Sequence, residues 1–229
     1  MKIEIKSLID GAREATGLTV IIDVFRAFSL ECYLYNKGVK EIIPVGTVEE
    51  AFAYKEKNPD YILIGERHGK MCDGFNFGNS PSQTKDADLK GKIIIHTTSA
   101  GTKGVANAKN ASAIIGGSIV NAKAIANYIK KKNPKTVTLV PMGLAGIEPT
   151  TEDELCAKYI KSLLEGNEME NIEEKCKELR FNGGEKFFNP NTQNIYPMDD
   201  FYMCTKPNIF DFVVEIHKNY TGFYTRVNS

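Results

Sequence analysis

Four stretches of the chain share one pattern: an apolar, β-branched run, then acidic, basic or hydroxyl residues within a few positions. They read LTVIIDVFRA (18–27), YILIGERHGK (61–70), KIIIHTTSAG (92–101) and TVTLVPMGLAG (136–146), the last leading into TTEDE (150–154). Short continuous apolar runs of this kind suit strands buried on both faces, as in parallel sheets. Between them the spacing turns helical. FRAFSLECYLYNKG reads as a helix closed by Gly38, the residue that accepts a left-handed cap. KEIIPV (40–45) is a further strand. Thr47 and Glu50 form a capping box that opens the helix TVEEAFAYKEKN. In the second half, SAGTKGVANAKN, SIVNAKAIANYIKKKN and TTEDELCAKYIKSLLEGN read as helices, with Thr150 or Thr151 capping the last and SAIIGG a strand between the first two.

Such alternation predicts right-handed crossovers and a layered α/β/α fold around a largely parallel or mixed sheet. The expected unit spans residues 1–229, divisible into lobes 1–88 and 89–229 with the site between them. The N-terminal MKIEIKSLIDG alternates like a strand. After residue 165 the pattern loosens: NEMENIEEKCKELR reads as helix, FNGGEKFFNPNTQNIYP as loop, and NIFDFVVEIHKNYTGFYTRV as a terminal strand pair or extended segment. The connection 66–91 is long, polar and glycine-rich. Loops of that length in a compact fold are usually functional, and Phe75 and Phe77 flanked by Gly74 and Gly78 predict an ordered cover over a site.

Composition narrows the classes. Lys plus Arg equals Asp plus Glu at 29 each, so no global field favours nucleic acid or an anionic membrane. No apolar run approaches the roughly 20 residues that span a bilayer. Five scattered cysteines without CxxC spacing argue against a disulfide framework or structural zinc site and for a reducing cytoplasm. Oligomeric state is not written in the composition; NIFDFVVEI covers either the core or the partner in a homodimer.

In open α/β sheets ligands bind beyond the carboxyl ends of the strands. That rule gathers Asp23, Arg26, Glu66, Arg67, Thr97, Thr98 and Asp153 around one crevice. Asp23 reads equally as a helix cap and as a metal ligand or nucleophile. Arg26 reads as its salt-bridge partner or as a fork onto phosphate or carboxylate oxygens. Asn79-Ser80-Pro81 resembles a helix start, with Ser80 at the cap and Pro81 at the first position. HTTSAGTKG places Thr97, Thr98, Ser99 and Gly101 at a strand-to-helix turn that can cradle an anion, although its spacing is not that of a Walker A loop. Glu152 and Asp153 suit either the helix dipole or a metal. His68 and Cys72 are weaker candidates, and Cys32 and Cys156 read as small core residues. No strand is followed by GxGxxG, which disfavours a dinucleotide-dependent oxidoreductase.

The stretches IIDVFRAFS, IIPVGTVEEA, LIGERHG, GFNFGNSPSQ, GKIIIHTTSAGT, GGSIVNA and TEDELCA, in that order over about residues 18–160, resemble the 2-phosphosulfolactate phosphatase family of coenzyme M biosynthesis. The chain departs from the family pattern at Phe28, where a small hydroxyl residue is usual, at Ser99-Ala100-Gly101 in place of an Asn-Gly pair, and at Asn76 in place of an aspartate. The resemblance implies a Mg²⁺-dependent phosphatase acting on the phosphate ester of a 2-hydroxy acid, 2-phosphosulfolactate giving sulfolactate and phosphate. It implies Asp23, Arg26, Glu66 and Arg67 as catalytic residues and Asp23, Glu66 and Asp153 as metal ligands. Asn79, Ser80, Thr97, Thr98, Ser99 and Gly101 would bind substrate. An aspartyl-phosphate at Asp23 and direct attack by water both remain open, since the DxDx signature of aspartyl phosphatases is absent. A binding protein for a phosphorylated or sulfonated acid, without turnover, is the alternative.

Overall fold

The apolar runs form strands in the computed structural model, which describes residues 1–219 and 222–228. In chain order the elements are β1 (Lys2–Ile5), α1 (Leu8–Glu14), β2 (Gly17–Ile22), α2 (Ala27–Asn36), β3 (Glu41–Pro44), α3 (Val48–Lys57), β4 (Ile62–Arg67) and β5 (Lys70–Met71). There follow β6 (Ile93–Thr97), α4 (Gly101–Asn107), β7 (Ala111–Gly117), α5 (Ala122–Lys132), β8 (Thr136–Pro141) and α6 (Thr151–Glu165). The chain ends with α7 (Ile172–Glu178), α8 (Met198–Thr205), β9 (Val213–Asn219) and β10 (Gly222–Asn228). The segment read as a terminal strand pair is a hairpin; Tyr220 and Thr221 within it, and Ser229, lie outside the described residues.

Strand periodicity sorts the core into layers. Leu18, Val20 and Ile22 of β2 face a cluster with Ile125 and Ile129 of α5 and Cys156, Ile160 and Leu163 of α6. Ile21 faces the other way, onto Ala12 of α1 and Val105 of α4. The second half of the sheet repeats this division. Ile42, Ile64 and Ile94 pack with Leu30 and Leu34 of α2, while Ile43, Leu63 and Ile95 pack with Ala51 of α3. A helix apolar on most sides belongs inside, and α2 is buried at eight of its ten positions. Its Phe28 lies against Gly116 of β7, where a β-carbon would collide with the ring. Phe28 is therefore a packing residue that fills a notch left by glycine.

The sheet order is β1-β8-β2-β7-β9-β10-β3-β6-β4-β5. Strands β1, β8, β2 and β7 are mutually parallel, as are β3, β6 and β4. Every pairing through the β9–β10 hairpin is antiparallel, so these two parallel blocks run in opposite senses along the sheet. The sheet, expected to be largely parallel or mixed, is thus a mixed one. In a flat sheet the carboxyl ends of β2 and β6 would leave from opposite edges. Strand twist of roughly 20–25° per step accumulates over the five steps from β2 to β6 and turns the two edges toward each other. A direct hydrogen bond proves the meeting: Gly101 N, just after β6, donates to Asp23 Oδ2, just after β2, at 2.9 Å.

The capping box at Thr47 and Glu50 forms as read. Asn79-Ser80-Pro81 does not start a helix; residues 81–86 are a run of turns. The reason is tertiary, since Asp200 Oδ1 accepts from both Ser80 Oγ and Ser82 N at 2.9 Å. The loop 66–91 is pinned over β4, with Asn76 Oδ1 accepting from Leu63 N and Asn76 N donating to Leu63 O. The departure at Asn76 is therefore a tether to the sheet.

Candidate active site

Asp23 sits where the two carboxyl edges meet. Its Oδ1 accepts from Ala27 N at 3.0 Å and its Oδ2 from Gly101 N at 2.9 Å, the first residues of α2 and α4. The carboxylate therefore caps two helices at once and still borders a cavity of about 380 Å³. Gly101 permits this approach, because a β-carbon there would lie 2.9 Å from Asp23 Oδ2 and 3.0 Å from Ala27 Cβ. Burial, reinforced by the charge of Glu66, pushes the Asp23 carboxyl up to about 6, against the lowering effect of its two backbone donors.

Glu66 closes the opposite wall. Its Oε1 accepts from Ser99 N at 2.6 Å, and its Oε2 from Gly69 N at 2.7 Å and Ser99 Oγ at 3.1 Å. Gly69 has φ +79°, and a side chain there would collide with Tyr196. Arg67, expected beside Glu66 in the site, does not border the cavity. Its guanidinium donates instead to Glu66 O, Gly46 O and Thr97 Oγ1. Adjacent strand residues point to opposite faces, and Arg67 follows that rule. Thr97 and Thr98 are buried and stand off the cavity as well, Thr98 Oγ1 accepting from Thr102 N to open α4. Of the threonine turn, Ser99 and Ala100 line the cavity, and Gly101 serves through Asp23. Asn79 lines it; Ser80 is committed to Asp200.

Asp153 reaches the cavity from the start of α6, its Oδ1 accepting from Val24 N at 2.7 Å and its Oδ2 from Gly143 N at 2.9 Å. Burial, with the charges of Glu152 and Asp23, raises its carboxyl well above the usual range. Burial also raises Glu152, which Lys186 opposes. Glu152 Oε2 is buried and has no hydrogen-bond partner among the described residues.

Two residues of the site, Lys186 and Tyr196, gave no sequence signal. Arg26 Nη1 is 2.7 Å from Asp200 Oδ2 on α8 and 2.9 Å from Ile195 O, and its Nη2 is 3.3 Å from Gly69 O. Its guanidinium lies 5.2 Å from the Tyr196 ring centre. The arginine read as a substrate fork is thus held by protein partners at the cavity wall. Lys186 and Tyr196 complete the rim, with Lys186 Nζ 5.5–5.7 Å from the ring centres of Phe25, Phe187 and Tyr196. Lys186 stands in a stretch that reads as loop, with no periodicity to mark it. Asp200 follows Pro197 in YPMDD, a proline-then-acid pattern that does signal a helix start.

The cavity is therefore lined by four carboxylates, Asp23, Glu66, Glu152 and Asp153, against Lys186, the exposed His68 and the already paired Arg26. This surplus of negative charge, together with the orphaned Glu152 Oε2, suits a bound cation. No three His, Cys, Asp or Glu side chains among the described residues are already grouped as a metal centre, however. Asp23, Glu66 and Asp153 each direct both oxygens to backbone or serine donors. A sparse set of protein ligands fits Mg²⁺, which keeps several waters and binds through one or two carboxylates plus substrate phosphate.

A family model described as 2-phosphosulpholactate phosphatase matches residues 3–219. A probable 2-phosphosulfolactate phosphatase of Bacillus subtilis is 32% identical over 204 residues, covering 88% of each chain. Proteins of the same description from Clostridium acetobutylicum and Carboxydothermus hydrogenoformans are 38% identical over 164 residues and 36% identical over 207. They share 70% and 86% of this chain, and 69% and 85% of their own length.

Proposed function

The chain belongs to the 2-phosphosulpholactate phosphatase family, and from that premise we propose that it hydrolyses 2-phosphosulfolactate to sulfolactate and inorganic phosphate in a Mg²⁺-dependent reaction. The observation that carries this reading is the placement of Asp23, held by the first N–H groups of α2 and α4 where two carboxyl edges meet in a cavity rich in carboxylates. A volume of about 380 Å³ is at the small end for ligand pockets and suits a three-carbon substrate.

The substrate carries phosphate, carboxylate and sulfonate, so the site must balance several negative charges. Asp23 and Glu152 would hold the ion, which when bound neutralises charge on the transferring phosphoryl oxygens. Lys186, on the rim, meets the sulfonate. Asn79 offers a neutral polar group from the wall, and Glu66 fixes the Ser99 turn that frames the floor. Asp23, with its carboxyl raised to about 6, is ionised at neutral pH and is the reactive carboxylate. It either accepts the phosphoryl group as the ester oxygen leaves or takes the proton of an attacking water. Borohydride trapping during a single turnover separates the two, because only the covalent route leaves an aspartyl-phosphate at Asp23 to be reduced.

Our reading has the enzyme working in the cytoplasm, which all five cysteines being free and buried supports. No helix among the described residues is long and apolar enough to cross a membrane. The deciding experiment is phosphate release from 2-phosphosulfolactate with and without Mg²⁺, for wild type and Asp23→Asn. Metal-dependent turnover lost in folded Asp23→Asn is the expected result. Ligand binding without any turnover would make the chain a binding protein and end the proposal.

A further inference from the structure

Asn79 is the one amide side chain bordering the cavity among the described residues. It is also the outer end of a buried chain of polar groups. Its Oδ1 lies 3.3 Å from His96 Nε2, and His96 Nδ1 lies 2.8 Å from Glu31 Oε1. His96 on β6 is fully buried, and Glu31 on α2 is 1% exposed. The second oxygen of Glu31 has no hydrogen-bond partner, and its one ion pair among the described residues is with His96.

Protons can be counted on this pair. If imidazole and carboxylate together held one proton, a net negative charge would stand in the core with no cation beside it, which is strongly unfavourable. With two protons the pair is neutral overall. One proton then lies between Nδ1 and Oε1, on whichever atom; the other goes to Nε2, which has Asn79 Oδ1 to receive it, rather than to Glu31 Oε2, where a hydroxyl would find no acceptor among the described residues. Nε2–H is a donor, so Asn79 must present Oδ1 to it. The Asn79 NH₂ is thereby turned away from His96, and its hydrogens remain for the cavity. With a single proton on Nδ1, the reverse would hold and Asn79 would show an acceptor to its ligand.

We propose that Glu31 and His96 are positioning residues that lock Asn79 with its NH₂ toward the cavity, as a donor to an anionic oxygen of the substrate. Asn79 then selects for acceptor groups, and the selection is set two residues away by a pair that never touches the ligand. The identity of the anion rests on the phosphatase reading; the orientation of Asn79 does not.

The first test needs no activity. Nitrogen NMR of ¹⁵N-histidine-labelled, ligand-free protein, with His96 assigned by loss of the other signals in His68→Gln and His217→Gln, reads Nε2 directly. A proton-bearing Nε2 is expected; a lone-pair Nε2 overturns the proposal whether or not the chain is a phosphatase. The second test is kinetic. Asn79→Asp, nearly isosteric but without donors, is expected to raise KM for 2-phosphosulfolactate at least tenfold with kcat within threefold. An unchanged KM would overturn the donor role. Glu31→Met keeps length without charge and frees Asn79 to turn, so KM should rise about fivefold with kcat within twofold. A KM within twofold of wild type in folded Glu31→Met overturns the positioning role, and if that variant does not fold, Asn79→Asp and the His96 signal decide.

Discussion

Arg26 Nη1 and Asp200 Oδ2 stand 2.7 Å apart with side-chain exposures of 4% and 0%, joining the start of α2 to a helix 174 residues later. Asp200 also holds the loop 66–91 through Ser80 and Ser82. This one carboxylate therefore docks both segments that cover the cavity onto the start of α2, the helix that Asp23 caps. Removing one member of a buried pair leaves the other charge uncompensated and costs about 3–5 kcal/mol. Asp200→Ala should lower unfolding stability by that amount in urea, with the slope unchanged, and should depress turnover as the cover loosens. A loss under about 1 kcal/mol, within the range of an exposed pair, would show that the pair does not hold the cover.

The pH dependence of stability should carry the mark of Asp23. Its carboxyl is raised from 3.8 to about 6 in the folded chain by burial and by Glu66. Between those values the folded state retains a proton that the unfolded state has released, so stability falls as pH rises through the window. Asp23→Asn cannot titrate. In metal-free protein, the stability difference between Asp23→Asn and wild type should move toward the variant by about 1–3 kcal/mol between pH 4 and pH 7.5. Comparing the two pH values cancels the fixed effect of exchanging an acceptor for a donor beside Gly101. A difference that stays constant, or moves toward wild type, would mean that Asp23 is not raised.

Excess carboxylate in the cavity makes a direct claim about metal binding. Among the described residues, Glu152 Oε2 is the buried carboxylate oxygen there without a hydrogen-bond partner, so Glu152→Gln should weaken Mg²⁺ binding about tenfold or more, in the range seen when metal-site residues are lost. Wild-type protein at a hundredfold excess over Kd should gain about 2.7 kcal/mol of stability from the ion, visible as a raised thermal midpoint that EDTA reverses. Calorimetric titration of Mg²⁺ into both proteins checks the assignment. Equal affinities would remove Glu152 from the ligand set.

What could be read from the sequence was local. The strands, the Thr47–Glu50 box and the helix after each strand follow from apolar runs and capping residues that need no distant partner. Asp23 and Glu66 were legible because an acid at the end of a buried strand has few other places to go. Arg67 was not, since adjacency to Glu66 says nothing about which face each side chain takes, and its guanidinium is held on the far side by Gly46 O and Thr97 Oγ1. Ser80-Pro81 carries the letters of a helix start, but Asp200 bonds Ser80 Oγ and Ser82 N into turns instead. The opposed sense of the two parallel blocks depends on a hairpin from the chain's end inserting between β7 and β3. No local pattern encodes that insertion, nor the arrival of Lys186 from an irregular segment and of Asp200 from α8 at this site.

Lys186 is the residue for which the structure makes the sharpest demand on specificity. Its Nζ lies 5.5 Å from the Tyr196 ring centre and 5.7 Å from that of Phe25, and no carboxylate among the described residues pairs with it within salt-bridge distance. Glu152 feels its charge without bonding it. An ammonium held against aromatic faces keeps its stem ordered and its charge available for a ligand anion. If that anion is the sulfonate, Lys186→Met, which preserves bulk, should raise KM for 2-phosphosulfolactate about tenfold, equivalent to about 1.4 kcal/mol, and change kcat less than threefold. The phosphate ester of lactate lacks the sulfonate and should already bind the wild type weakly. Lys186→Met should scarcely alter its KM, so the preference between the two esters collapses in the variant. Equal losses on both substrates would instead place Lys186 at the phosphate or carboxylate, where charge on the common skeleton would be felt alike.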